Sequence, residues 1–216
     1  MPSALRPPFS SAARAEIVRA LTGGAVMTYP SETSYALGGN ALDPALCAKV
    51  QALKGRADHK ALLLLIRSEE AVTGLATDVH PAARVLMERF WPGAVTLVFR
   101  AAPNAPPHLV DARGTLALRW SPHPVLRELL EIGGVPLIGT SANRAGEPAL
   151  CTADEVLAAF PDAIALAIDG GRAPGGAPST LLDTTVVPFR ILREGALPKA
   201  RIQATLVEMF IETVPE

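Results

Sequence analysis

Short apolar runs alternate with stretches of helical periodicity along most of the chain. AVMTY, ALLLLI, AVTLVF, TLALRW, VPLIGT, AIALAID, TLLDTT and FRILR are five to seven residues long, and the first six are close to continuously apolar, the pattern of strands buried on both faces. Between them, apolar positions recur every three or four residues. Residues 11 to 21, behind a Ser10 cap and ahead of Gly23-Gly24, carry Ile17, Val18 and Leu21. Asp43-Pro44 opens a helix with a Leu46, Val50, Leu53 stripe. Further helices are expected over roughly Ser68 to Ala76, over Pro81 to Phe90 with Val85, Leu86 and Phe90, and from Pro124 to Gly133-Gly134. Thr152 and Glu155 form a capping box for ADEVLAAF, and a last helix runs from Pro198 to about Thr213. The alternation predicts an α/β fold, an open, twisted, mixed β-sheet flanked by helices, with the two adjacent late strands supplying an antiparallel part.

Composition narrows the setting. The 216 residues, 49% hydrophobic and 19% charged, suit one soluble domain spanning 1–216, and no boundary, repeat or low-complexity tract interrupts them. A net charge of −1 points to neither nucleic acid nor an anionic membrane. No apolar stretch is long enough to span a bilayer and the N-terminus has no signal-peptide core, so no membrane association and a cytoplasmic location are expected. Cys47 and Cys151 lie apart, outside any paired-ligand spacing. His59, His80, His108 and His123 sit beside loop or proline residues without metal spacing, which suits surface or capping roles.

Candidate chemistry gathers around Tyr29–Arg56. The strand stops at Pro30, Ser31, Glu32 and Thr33 follow, and a helix then delivers Lys54 and Arg56. Hydroxyls and a carboxylate at one end and two cations at the other suit a ligand with an amine and phosphates. Taken alone, the Lys-Gly-Arg ending reads more readily as a plain helix terminus. Ser141-Ala142-Asn143 follows a buried strand end, where ligands of α/β sheets bind, but is also a good turn. Arg119 and Arg193 end apolar strands and need a partner, a structural carboxylate or a substrate. GGRAPGGAPST is glycine-rich without being a Walker loop, and no nucleophile–base pair is evident, which favours direct displacement on an activated phosphate.

Taken together, YPSETSYALGG, KGRADHKALLLLI, FWPGAVTLVF, TLALRW, GTSANRAGEP, PSTLLD and ILREGAL resemble, in order, the YrdC-like threonylcarbamoyl-AMP synthase family over about 23–197. Lys54, Arg56, Ser141 and Asn143 form the most diagnostic combination. The resemblance implies an enzyme that joins L-threonine, bicarbonate and ATP, with Mg2+, into threonylcarbamoyl-AMP and pyrophosphate. That product would go to tRNA modification through downstream tRNA threonylcarbamoyl-transferase proteins. The resemblance assigns Thr33, Arg119, Ser179 and the backbone near Gly139 to threonine. Arg56, Lys60, Thr115, Ser141, Asn143, Arg193 and the chain near Ala149 would meet ATP, with Lys54 near the reacting phosphate. The 170–180 loop is expected to contribute a lid.

Several positions depart from the pattern. Ser31 replaces a threonine, Ala36 replaces a glycine in the manner of YciO-type relatives, Leu65 stands where some members have histidine, and Ala57 and Ala61 replace prolines. The sequence runs only a little past its last expected helix, so the extra C-terminal domain of longer relatives is not expected. Two other readings compete: an RNA-binding module whose Lys54, Arg56, Lys60, Arg119 and Arg193 line a concave face, and a carbamoyl-phosphate enzyme like a domain of hydrogenase-maturation proteins.

Overall fold

The computed structural model describes residues 3–55 and 62–212. In chain order its elements are β1 (Ser3–Leu5), α1 (Ser11–Thr22), β2 (Met27–Pro30), β3 (Tyr35–Gly38), α2 (Pro44–Leu53), β4 (Leu63–Ile66), α3 (Ala71–Leu75), β5 (Ala76–Thr77), α4 (Pro81–Phe90), β6 (Val95–Ala101), β7 (Thr115–Trp120), α5 (Pro124–Gly133), β8 (Leu137–Ile138), β9 (Thr140–Ser141), α6 (Ala153–Ala159), β10 (Leu166–Ile168), β11 (Thr180–Asp183), β12 (Arg190–Arg193) and α7 (Lys199–Glu212). The expected helix ends are built as their residues dictate. Ser10 Oγ accepts from Ala13 N, Asp43 caps α2 ahead of Pro44, and both halves of the Thr152–Glu155 box are made. The third helix is shorter than expected: Ser68 to Glu70 stay outside it.

The α/β class holds, but two mixed sheets replace the single expected one. A five-stranded sheet runs β1-β10-β2-β3-β9; a larger one runs β12-β11-β6-β7-β4-β8, with β5 paired to β6. VPLIGT reads as one strand and is two. Leu137 and Ile138 pair with Leu65 and Leu64 in the larger sheet, whereas Thr140 and Ser141 pair with Leu37 and Ala36 in the smaller. Gly139 lies between, and a Cβ there would stand 2.8 Å from Leu65 Cγ and 3.1 Å from Leu63 Cγ. The chain changes sheets at the one residue small enough to pass. The strand β3, like β1 and β5, is an addition to the expected elements, and it pairs antiparallel with β2 throughout.

Alternate residues of the central strands feed two cores, which explains their continuously apolar reading. Tyr35, Leu37, Leu64 and Ile66 join the larger core with Leu46, Val50 and Leu86. Met27, Tyr29, Ala36 and Leu65 join a second core with Ile17, Leu21, Leu126 and Leu129. Val18, expected on the buried stripe of α1, is exposed.

The sheets are stitched where β3 passes β8. Tyr29 Oη donates to Ile138 O at 2.6 Å, Ile138 N donates to Gly39 O at 3.1 Å, and Asn40 forms a bridge with Leu137. Tyr29 is fully buried, and that burial pushes its phenol well above the usual range, so the hydroxyl keeps its proton and remains a donor. A Cβ on Gly38 would lie 2.1 Å from Tyr29 Oη and 2.3 Å from Ile138 O. Gly38→Ala is therefore expected to cost about 3 kcal/mol or more. Gly134→Ala, at a left-handed helix cap with open space around it, should cost about 1–2 kcal/mol. Urea unfolding of both variants checks the contrast.

Candidate active site

A cavity of about 670 Å3 opens where the two sheets meet, within the roughly 300–1,000 Å3 usual for small-molecule sites. The turn between β2 and β3 forms one side. Strands β4, β6 and β7 form the floor, and Gly139 to Ser141, Pro178–Ser179 and the end of β12 close the rest. Leu63 and Leu65 make part of the wall apolar, and Ala36 lines it too, its methyl accommodated in the regular ladder between β2 and β9.

In the turn, Ser31 is the hub. Its hydroxyl donates to Ser34 O at 2.7 Å and accepts from Ser34 N at 3.3 Å and Thr33 N at 3.4 Å. Thr33 Oγ1 lies 3.2 Å from Ser31 Oγ. Because the single Ser31 proton goes to Ser34 O, Thr33 is the donor of that pair, and its lone pairs remain for a ligand N–H or O–H. The Ser31 replacement thus keeps a hydroxyl that the turn needs. The following Tyr35 ties the turn to the glycine-rich loop: its hydroxyl donates to Gly171 O at 2.7 Å and accepts from Gly170 N at 3.2 Å. Burial, with the Asp169 charge adding, pushes that phenol up to about 12. Of the expected lid, only Pro178 and Ser179 among the described residues before Thr180 line the cavity, and Ala173 N is bound to Cys151 O at 2.8 Å.

Lys54, Ser141 and Asn143, far apart in sequence, form one knot. Lys54 Nζ donates to Ser141 O and to Asn143 Oδ1, both at 2.6 Å. Ser141 Oγ donates to Asn143 Oδ1 at 2.7 Å, and Asn143 Nδ2 donates to Glu147 O at 2.5 Å. Lys54 is 2% exposed. The knot fixes the loop after β9 and turns Ser141 toward the cavity; Lys54 and Asn143 stand behind it rather than on its wall. A plain helix end would leave that ammonium in water, so this lysine does more than cap a dipole.

Arg119, at the end of β7, is 4% exposed and lines the cavity. Its Nε donates to Gly93 O at 3.2 Å and its Nη2 pairs with Glu32 Oε1. Burial, and secondarily the charge of Arg193, pulls the guanidinium down to about 10, so it stays cationic near neutrality. Arg193 holds the opposite edge: its Nε and Nη2 donate to Ser179 O at 3.2 and 2.9 Å, while Ser179 Oγ shares a hydrogen bond with Thr96 Oγ1 at 2.8 Å. Thr115 N donates to Asp111 Oδ1 at 2.9 Å, and Arg113 bridges Asp111 and Asp183. Burial pushes the Asp111 carboxyl up, but the hydrogen bonds from Thr115 and Arg113 outweigh it and leave it below the usual range.

Of the residues singled out in the sequence, Thr33, Thr115, Arg119, Gly139, Ser141, Ser179 and Arg193 meet at this cavity. Arg56 and Lys60 lie outside the described residues, as do Ala57, His59 and Ala61. The Gly139 N–H is already bound to Leu63 O at 2.7 Å, so any ligand contact there comes from another atom of the neighbourhood. Sequence reasoning missed Asp111 and Arg113, which sit in what reads as an undifferentiated loop; the Asp-x-Arg-Gly turn was the available signal. His80 caps α4 and His108 meets Ala41 O, as their loop positions suggest. Among the described residues no three His, Cys, Asp or Glu converge as a metal site, and no helix is long and apolar enough to cross a membrane.

Known proteins share both the fold and much of the sequence. Residues 19–195 match the Sua5/YciO/YrdC family model, described as "Telomere recombination", and the chain belongs to that family. A threonylcarbamoyl-AMP synthase of Pyrococcus abyssi is 35% identical over 188 residues, covering 87% of this chain and 55% of the relative. A putative threonylcarbamoyl-AMP synthase of Mycobacterium leprae is 37% identical over 193 residues, covering 89% and 87%. This chain therefore spans about half of the first relative and most of the second. The structure of P. abyssi Sua5 complexed with L-threonine has a TM-score of 0.88 at 31% identity, covering 95% of this chain and 61% of that one. E. coli YciO has a TM-score of 0.82 at 24% identity, covering 91% and 97%, a likeness of fold.

Replacing Lys54 tests the knot. Lys54→Ala removes two hydrogen bonds from a charged donor, although Asn143 Oδ1 keeps Ser141 Oγ and Ser141 O keeps Asn143 N, and it empties a buried site, so it should cost about 2–3 kcal/mol, whereas Lys49→Ala, on the exposed face of the same helix, should stay within about 0.5 kcal/mol. Thermal and denaturant unfolding of the two variants separates a structural cation from a surface one.

Proposed function

We propose that this chain is a threonylcarbamoyl-AMP synthase, joining L-threonine, bicarbonate and ATP into threonylcarbamoyl-AMP with release of pyrophosphate. The observation that carries the reading is the division of the cavity. Thr33 with an open acceptor and Arg119 with a buried cation suit an amino acid's amine and carboxylate on one side. Ser141, Thr115 and Arg193 suit a nucleotide's hydroxyls and phosphates on the other. The names and the bound threonine of the 31–37% identical relatives support it.

Carbon dioxide from bicarbonate adds to the neutral amine of threonine, which loses a proton and becomes a carbamate. A carbamate oxygen attacks the α-phosphorus of ATP, the bond to the bridging oxygen breaks, and pyrophosphate leaves. No covalent enzyme intermediate is needed, which agrees with the lack of a nucleophile–base pair among the cavity residues. Charge grows on the phosphoryl and leaving oxygens, so fixed cations and hydroxyl donors are what this step requires. Magnesium enters with the triphosphate as part of the substrate and shares that charge. Arg56 and Lys60 belong to the phosphate side in this reading. The walls limit water around the carbamate, which would otherwise lose carbon dioxide. The product's mixed anhydride is reactive, so transfer partners carrying tRNA would consume it, in the cytoplasm.

RNA binding as the primary role draws little from the described cations. Lys54 and Arg119 are turned inward and buried, and the exposed Arg193 has its guanidinium bound to Ser179 O at the rim of the cavity.

Pyrophosphate release from magnesium-ATP and bicarbonate should depend on L-threonine. It should fall by about 100-fold or more in Ser141→Ala or Arg119→Gln if each removes a transition-state or carboxylate contact. Release that ignores threonine, in folded protein, would contradict the reading.

A further inference from the structure

Glu32 has no part in the reaction as described, yet it is the carboxylate nearest the buried cation of the site. Its Oε1 pairs with Arg119 Nη2 and its Oε2 accepts from Ser121 Oγ at 2.5 Å. Ser121 is fully buried, lies two residues beyond Arg119, and its hydroxyl also accepts from His123 N at 3.2 Å. On the other edge of the guanidinium, Arg119 Nε donates to Gly93 O at 3.2 Å. The fork is thus held from two sides, by the turn before β3 and by the turn before β6. Among the described residues no partner holds its Nη1 end, while Arg119 lines the cavity.

We propose that Glu32, itself steadied by Ser121, is a positioning residue that aims the Arg119 guanidinium at the α-carboxylate of the amino acid. A guanidinium recognises a carboxylate through a planar two-point contact, and its value depends on the plane being fixed beforehand. Arg193 disfavours the same charge from across the cavity, so an unanchored Arg119 would swing away from the productive plane. Glu32 does this without touching substrate: both of its oxygens are already engaged and it does not line the cavity. The inference rests on the amino-acid reading above and adds the device that prepares the carboxylate subsite.

The functional turn then has two separable duties. Thr33 offers an acceptor to the ligand, and Glu32 reaches back to set the cation. Glu32→Gln can keep both contacts, since the amide oxygen can accept from Arg119 and the Ser121 hydroxyl can turn to accept from the amide. Glu32→Ala can keep neither.

L-Threonine and ATP binding are measured separately by calorimetry on the full chain. In parallel, the Arg119 Nε–H signal is followed by nitrogen-15 NMR, assigned by its loss in Arg119→Lys. Glu32→Ala should weaken threonine binding at least tenfold with ATP affinity within twofold, and should broaden or remove the Arg119 signal. Glu32→Gln should restore threonine affinity to within about threefold and keep a sharp signal, and Ser121→Ala should fall between. Threonine affinity in Glu32→Ala within twofold of the parent, equal losses for both ligands, or an unchanged Nε–H signal would overturn the proposal. Failure of the parent chain to bind threonine would instead count against the amino-acid reading, and the signal would still decide whether Glu32 positions Arg119.

Discussion

The close passage of two backbones at Gly38 and Gly139 is the constraint on which the rest of the structure depends. At Gly38 the chain leaves no room for a Cβ between Tyr29 Oη and Ile138 O, and at Gly139 none beside Leu63 and Leu65. These contacts let one sheet hand its hydrogen bonding to the other within a single residue. Because Ile138 belongs to one sheet and Thr140 to the other, the sheets diverge on either side of the crossing. The cavity is the space that this divergence leaves. The strand ends that carry Arg119 and Ser141 open into it, as ligand sites do where the connectivity of an α/β sheet switches.

Polar groups are set in the walls of that space, and behind them, by satisfying them elsewhere first. Lys54 spends its charge on Ser141 O and Asn143 Oδ1, Arg193 on Ser179 O, and Arg119 on Glu32 and Gly93 O. A buried cation without such partners would be destabilising by several kcal/mol (on the order of 3–5). Paired in this way, each retains positive potential while its geometry is set in advance. The arrangement suits chemistry that asks for little bond-making by the protein and much preorganised charge.

Local rules make most elements legible in the amino-acid sequence. Pro81–Phe90, Pro124–Gly133 and Thr115–Trp120 fall where caps, prolines and apolar runs place them. Pairing lies beyond the reach of such rules. Tyr35–Gly38 is not among the expected strands and becomes one only with β2 and β9 beside it, and VPLIGT looks like one strand until its two halves are seen in different sheets. The same holds at the site. The residue types and their family resemblance point to Thr33, Arg119, Ser141, Ser179 and Arg193, all of which meet. That Lys54 and Asn143 form the support behind Ser141, and that Glu32 faces Arg119, depends on contacts spanning roughly 90 positions. Sequence spacing carries no record of such contacts.

The central claim is that one cavity holds an amino acid and a nucleotide so that carbonate carbon joins them. Incubating the protein with carbon-13 bicarbonate, L-threonine and magnesium-ATP, then examining the adenylates by mass spectrometry, tests it directly. The account predicts an adenylate carrying both threonine and the labelled carbon, absent when threonine is omitted. An adenylate lacking the label, or no adenylate at all from folded protein, would contradict it.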